Sequence, residues 1–538
     1  MQGAPRLERR PWLEHYPPEI PISLAYREVP LFNLLEQAAA RHPQLPALRF
    51  AHIQLSYAHI WAQAQRFAAA LAELGVRKGD RVALMLPNCP QYVVAYYGTL
   101  RAGGIVAQIN PLYTPRELEY VLADSGAEII VIADALYPVL QATNVSLRHV
   151  LVATLKGDAP LGPGAQRLED VVANTTSAPP AVSIDPHQDV AVLQYTGGTT
   201  GISKAAMLTH FNLVANVQQS QAWNPGAGLP GSERILTVIP LFHAYGMTIC
   251  MNFGLASGYE LILLPRFDLT EVMHTIKSAQ PTYFPGVPTM YLAVTNFPNA
   301  QDYGVSSIKY CNSGAAPLPL EVIAAFEQKF GGKIREGYGL SETSPFSHGQ
   351  PFMLEPRPGT VGMPAPDTES DVVDVETGTR VLPPGEVGEI RIRGPQVMKG
   401  YWNRPDETAI ALRDGWLYTG DLGTMDASGY FSIVDRKKDM IIASGYNVYP
   451  RDVEEVLYEH PAVLECCVAG LPDTYRGETI KAYVVARPGA QVTAEALDAF
   501  CRERLAAFKV PRVYEFRQSL PRSAVGKVLR RLLIAESN

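Results

Sequence analysis

A chain of 538 residues is too long for one hydrophobic core, so two or more domains are expected. With 47% hydrophobic and 18% charged residues the composition is that of a globular protein, and a net charge of -7 argues against a dedicated nucleic-acid binder. The six cysteines (Cys89, Cys250, Cys311, Cys466, Cys467 and Cys501) show no C-x-x-C and no metal spacing with histidine, as expected of reduced, mostly buried thiols in a cytoplasmic protein.

The first ten residues are polar and lack the apolar run of a secretory signal. Ile60, Ala64, Phe67, Leu71 and Leu74 keep helical spacing, and Gly75 closes that helix. Residues 81–86 read as a strand, 91–102 as a helix, and 129–132, 150–153 and 190–193 as further strands. This rhythm predicts a largely parallel sheet with helices on both faces. It resumes with strands at 235–239, 261–264 and 282–284 and a helix at 269–279. The uncharged stretch 235–259 contains Pro240, His243 and Asn252, so a buried strand–turn–helix fits it better than a membrane span. Residues 157–164 and 174–180 are surface loops.

After Gly359 the pattern turns to antiparallel strands at 372–375 and 387–393. A charged, exposed break at 435–438 then precedes a compact unit with helices at 451–459 and 494–507 and strands at 463–469 and 480–486. The expected fold class is α/β plus α+β. A large N-terminal domain, 1–434, would hold two parallel-type α/β subdomains and a β-rich module; a small C-terminal α+β domain, 435–538, would follow.

The segment from Gln194 to Lys204 carries the most chemistry. Thr196, Gly197, Gly198, Thr199, Thr200, Gly201, Ser203 and Lys204 crowd glycines, hydroxyls and a cation behind an apolar strand. Such backbone can turn its N–H groups onto an anion, which makes the loop a polyphosphate cradle. It is not a Walker A loop, because Ser203 stands where that motif needs glycine.

Four other clusters are suggestive, one of them, Glu336 to Thr343, holding both Tyr338 and Glu342. Gly314, Ala315 and Ala316 form a small-residue turn against which a flat ring can lie. Tyr338, bracketed by Gly337 and Gly339, suits a stacked purine, although alone it reads more readily as a core aromatic. Glu342, between Ser341 and Thr343, is a lone carboxylate of the kind that holds Mg²⁺ together with phosphates and water; a helix cap is an equal reading. Asp421 could accept from ribose hydroxyls or merely close a turn. Lys527 sits on a Gly-containing loop and, taken alone, is one solvated charge among many.

Their joint occurrence in this order resembles the adenylate-forming superfamily of acyl-CoA synthetases, luciferases and peptide-synthetase adenylation domains. The similarity runs from about Leu31 to Arg531 and is greatest to bacterial long-chain fatty-acid–CoA ligases, on the motifs YTGGTTGISK, EGYGLSE, YTGD, DRKKDMIIASGYNVYP and LPRSAVGK. One departure is Ser341, where the superfamily often has threonine.

The resemblance implies residue roles. Thr196 to Lys204 would hold the phosphates of ATP. Gly314, Ala315, Ala316, Tyr338 and Gly339 would surround adenine, and Asp421 and Arg436 would bind the ribose. Glu342 would ligate Mg²⁺, Lys527 would contact the acyl carboxylate and the α-phosphate, and His243 would face the acyl group. The small domain would be mobile about a hinge at Asp435, bringing Ser444, Gly445 and Tyr446 to the CoA thiol tunnel.

The implied reaction joins a medium- to long-chain fatty acid to CoA through acyl-AMP. The alternative is an aryl-acid–CoA ligase or luciferase-like enzyme. Those usually carry F/Y-Q-V-A-P after the hinge, where this chain has Tyr446-Asn447-Val448-Tyr449-Pro450. A peptide-synthetase module is disfavoured, since the sequence runs only eleven residues past Lys527. The basic bias of 502–531 suits CoA phosphates or peripheral contact with an anionic membrane. Homodimers are common among relatives, with no marker in this sequence.

Overall fold

The computed structural model describes residues 10–157, 160–196, 203–224, 228–443, 446–473, 477–524 and 526–537. In the first sheet of the body, the strands lie in the order Ala165–Arg167, His149–Ala153, Ile129–Ala133, Arg81–Met85, Ile105–Gln108, Val190–Thr196 and Lys204–Thr209. Every pair is parallel except the last. Parallel strands covered on both faces read as unbroken apolar runs. Ile129–Ala133 and Ile105–Gln108 are accordingly buried at every position. The helix Tyr57–Glu73 starts where the Ser56 side chain accepts from His59 N at 3.3 Å.

The second sheet runs Met363–Pro364, Phe346–Gly349, Ile334–Gly339, Tyr310–Ser313, Tyr283–Gly286, Arg234–Thr237, Glu260–Leu263, Pro46–Phe50 and Ile53–Ser56. It is parallel in its centre and antiparallel at both ends. Its register pairs Gly286 with Ser313 and Ser313 with Glu336. The carboxyl ends of these strands therefore share one edge, which is where open α/β sheets take their ligands. The uncharged stretch supplies the strand Arg234–Thr237, a turn, and then a π-helical segment, Gly246–Asn252, before the short helix Phe253–Ala256. The expected strand–turn–helix is present, with wider π turns where ordinary ones were expected.

The third sheet is antiparallel: Glu369–Val373, Gly388–Arg393, Trp416–Met425 and Leu412–Arg413, with Phe431–Arg436 pairing onto Trp416–Met425. A fourth sheet holds Tyr446–Val448, Ile441–Ala443, Gly477–Ala486, Val463–Asp473 and Val513–Phe516, and carries the helices Pro450–Tyr458 and Ala494–Arg504. It has its own core, which includes Val453, Leu457, Val468, Val484 and Leu497. This unit is a cap on the body, and the change of sheet falls between Arg436 and Ile441.

Within the charged break Lys437 and Lys438 are exposed, as expected, but Asp435 is covered. Asp435 is only 9% exposed. Its Oδ1 accepts from Arg436 N at 2.7 Å and its Oδ2 from Arg451 N at 3.1 Å. Arg451 follows Pro450 at the start of a helix, so the carboxylate satisfies an N–H that has no partner within the helix. The Arg530 guanidinium approaches to 3.6 Å. Burial, opposed by Arg530, pushes the Asp435 carboxyl up to about 6. A run of charges reads as solvated in sequence, whereas here the cap folds back over the strand end. All six cysteines are buried and free of disulfides. Among the described residues no helix is long and apolar enough to cross a membrane.

Candidate active site

A cavity of about 930 Å³ opens where the two body sheets, the third sheet and the cap meet. Thr196 and Lys204 face each other in register across the antiparallel pair. Ser203 Oγ donates to Thr196 O at 2.6 Å and Thr196 Oγ1 to Lys204 O at 3.3 Å, closing the base of the loop. Gly197, Gly198, Thr199, Thr200 and Gly201 lie outside the described residues. Lys204 is ion-paired with Glu407, and its Nζ is 5.5 Å from the centre of the Tyr401 ring.

Glu342 lies in the short turn Ser341–Thr343. Tyr401 donates its hydroxyl to Glu342 Oε1 at 2.7 Å, and burial and then the Glu342 charge raise that phenol's pKa, so it stays a donor. Gly339 precedes this turn, and a Cβ there would collide with the backbone carbonyl of Pro345. Tyr338 donates to Asp421 Oδ2 at 2.7 Å. Arg436 Nε lies 3.0 Å from Asp421 Oδ1, a pairing fixed by their register across neighbouring strands. The Asp421 charge raises the Arg436 pKa further.

Gly314 N donates to Gly286 O at 3.2 Å, at the shared strand edge. A Cβ on Gly314 would touch the Tyr245 ring at 3.4 Å. Ala315 has φ +69°, a left-handed conformation unusual for a side-chain-bearing residue and one that clusters at ligand sites. These residues, Ala316 and His243 line the same cavity. His243 Nδ1 accepts from Tyr245 N at 3.3 Å. Burial, and then the nearby Lys527 charge, lower the His243 pKa to about 4, so the imidazole is neutral.

The cap contributes Lys527. Its loop is closed by Ser523 N donating to Lys527 O at 2.8 Å and Lys527 N donating to Ser523 Oγ at 3.2 Å. Gly526 turns the chain at φ +77°, and a Cβ there would press on Thr289 Oγ1 at 2.8 Å. The loop is therefore seated directly on the body. Burial, and then the Arg436 charge, lower the Lys527 pKa to about 8, against the pull of Asp421 and Asp439. Two cations, Arg436 and Lys527, and one neutral imidazole thus line the same cavity as the Asp421 carboxylate.

Models of two known families match the chain: "AMP-binding enzyme" over residues 35–402 and "AMP-binding enzyme C-terminal domain" over 452–527. A long-chain-fatty-acid–CoA ligase of Bacillus subtilis (strain 168) is 48% identical over 551 residues, covering 98% of each chain. The chain belongs to the AMP-binding enzyme family. Among solved family structures, ATP-bound MatB from Rhodopseudomonas palustris is similar with a TM-score of 0.84 and 31% identity, over 94% of this chain and 98% of that one. Apo MatB from the same source gives 0.74 at 31% identity, over 95% and 99%.

Within this AMP-binding enzyme most of the expected site residues share the cavity. Tyr446 does not: it is 55% exposed and stacks on Phe508 with ring centres 4.6 Å apart. Ser444 and Gly445 lie outside the described residues. Several residues at or beside the cavity were missed in sequence. Tyr401, in the cavity wall, holds Glu342, and Glu407 pairs with Lys204; the pair Gly400-Tyr401, set in a motif-poor stretch, was the available signal. Gln194 donates to Phe242 O at 2.9 Å and its buried Oε1, at the cavity wall, has no partner among the described residues. Glu336 has a buried Oε2 with no partner among the described residues, and burial, opposed by Arg451 of the cap, pushes its carboxyl up to about 7.

Proposed function

We propose that this family member is an ATP-dependent fatty acid–CoA ligase for medium- to long-chain acids, working in the cytoplasm or at a membrane surface. A carboxylate is a poor acyl donor, and conversion to acyl-AMP gives it a good leaving group. The acid's oxygen attacks the α-phosphorus of ATP, the bond to the bridging oxygen breaks, and pyrophosphate leaves. Two anions must meet, so positioning and charge neutralisation do most of the catalysis.

Asp421 and Arg436 would grip the ribose, with adenine between Tyr338 and the turn Gly314, Ala315, Ala316. The Thr196 to Lys204 loop would hold the outer phosphates. Lys204 must then leave Glu407, exchanging one anion for another. Lys527 would bridge the acyl carboxylate and the α-phosphate, with neutral His243 against the acyl group. A single hard carboxylate fits a Mg²⁺ that takes its other ligands from phosphates and water, so Glu342 would hold it, oriented by Tyr401. When bound, the ion would neutralise charge on the transferring phosphate.

In the second half-reaction the CoA sulfur attacks the acyl carbon, the thiol proton is lost, and AMP departs. The cap would turn about Asp435, withdrawing Lys527 and presenting Ser444, Gly445 and Tyr446 to the thiol. The solvent-facing Tyr446 ring supports that reading, as an aromatic surface free to be covered.

The observation that carries the proposal is the presence of Lys527, from the cap, in one cavity with Asp421, Arg436, Glu342 and His243 of the body. The higher similarity to ATP-bound than to apo MatB supports reading this arrangement as the adenylating one. With palmitate, ATP, Mg²⁺ and CoA, AMP and pyrophosphate should appear in equal amounts with palmitoyl-CoA. Formation of ADP instead would refute it.

A further inference from the structure

We propose that Phe352 is the stop that sets acyl-chain length, a movable ring between the inner cavity and a separate cleft on the outer surface. The inference rests on the fatty-acyl reading above. From the reacting centre the cavity runs along the second sheet toward the amino ends of its strands. Gly286, beside Gly314, ends the strand that Tyr283 begins, a distance of roughly 10 Å at about 3.3 Å per residue. The walls of this run are apolar: Ile249, Phe253, Val287 and Leu292.

Three rings close the far end. Phe253 and Tyr283 lie 6.1 Å apart and Tyr283 and Phe352 5.9 Å, measured between ring centres. Phe253 and Tyr283 are each 2% exposed and are held in a helix and a strand. Phe352 differs. It follows the strand Phe346–Gly349 in irregular backbone, is half-buried, and its neighbour Met353 is 39% exposed.

Phe352 also lines a second space, a cleft of about 330 Å³ shared with Lys309, Tyr310, Phe330, Lys333 and Arg335. The Arg335 guanidinium stacks 4.9 Å from the centre of the Phe352 ring. It also donates to Pro351 O, Phe352 O and Leu354 O at 3.3, 3.0 and 2.9 Å. Arg335 is the positioning residue: a planar fork, itself buried, that clasps the segment and keeps the ring in place. With the ring in place the tail stops at Phe352. With the ring aside, the two spaces join and a longer tail runs out between Tyr310 and Phe330.

The test compares Phe352→Ala and Phe352→Trp by pyrophosphate release with octanoate and palmitate. The palmitate-to-octanoate ratio of kcat/KM should rise roughly tenfold with alanine and fall about as much with tryptophan, the scale on which hydrophobic pockets discriminate added methylenes. Phe352→Leu should shift the ratio in the same direction as alanine, by less. A distal carboxylate adds a readout that loosened packing alone would not move. In Phe352→Ala, hexadecanedioate should gain over palmitate, because its far end can take the place of Glu355 on Lys333 and of Glu233 on Lys309. Ratios unchanged from wild type in all three variants would overturn the stop. Absence of pyrophosphate from the wild type with every fatty acid would instead overturn the fatty-acyl reading itself.

Discussion

The two ends of the cavity are built from different material. The reacting end takes its groups from four separate units: Thr196 and Gly314 at strand ends of the two body sheets, Asp421 within a strand of the third and, from the cap, Lys527 on a loop. Charges there are paired in advance, Arg436 with Asp421, Tyr401 with Glu342 and Lys204 with Glu407. The far end is three aromatic rings and aliphatic walls. Charge fixes a reaction and is indifferent to the tail; an apolar wall fixes a length and is indifferent to the chemistry. Changes at the first end should therefore alter the rate with every acid alike, and changes at the second should alter only their ranking.

The largest effect should come from Lys527→Ala. Adenylate formation should fall by about 10²–10³-fold, as when a preorganised charge-stabilising donor is removed. Thioester formation from supplied acyl-AMP should be nearly spared, and the order of preferred acids unchanged. Equal loss in both half-reactions would contradict a cap with two working faces. Tyr401→Phe should act more weakly, lowering kcat by about tenfold, since one hydrogen bond to a charged group is worth roughly 1.5–3 kcal/mol at most. Its apparent Mg²⁺ requirement should rise, and the palmitate-to-octanoate ratio should stay put.

The smallest effect concerns pH. In the proposed adenylation Lys527 works as a cation, and burial beside Arg436 and Arg530, only partly offset by Asp421 and Asp439, has lowered its pKa to about 8. The kcat/KM for adenylation reports the free enzyme. It should therefore decline as pH rises through about 8, with the same profile for octanoate and palmitate. For stability the sign is opposite: a lysine depressed in the fold destabilises it while protonated, and that penalty is relieved as pH rises from about 8 toward the unfolded value. A flat rate profile through pH 9 would show that Lys527 is not the titrating cation.

Much of the reacting end was legible in the sequence because its groups sit in short, dense motifs. The glycine and threonine loop, EGYGLSE, YTGD and the Lys527 loop each declare themselves within a few residues. The alternating strands and helices of the body were equally visible, since buried parallel strands leave unbroken apolar runs. Tyr401 and Glu407 were not visible, because their partners lie far off in the chain, and Tyr401 meets Glu342 across 59 positions. Phe352 was invisible for the same reason: only folding shows that one phenylalanine faces two spaces. Asp435 was misjudged because a charged run carries no sign of the helix start that covers it.

The seat beneath Gly526 has a consequence of its own. A methyl group at that turn would lie 2.8 Å from Thr289 Oγ1 and 3.2 Å from Val287 Cγ2, so something there would have to shift. Alanine there would act as a doorstop: body and cap would each keep their cores, yet the lid would rest ajar and the lysine would hang short of its target.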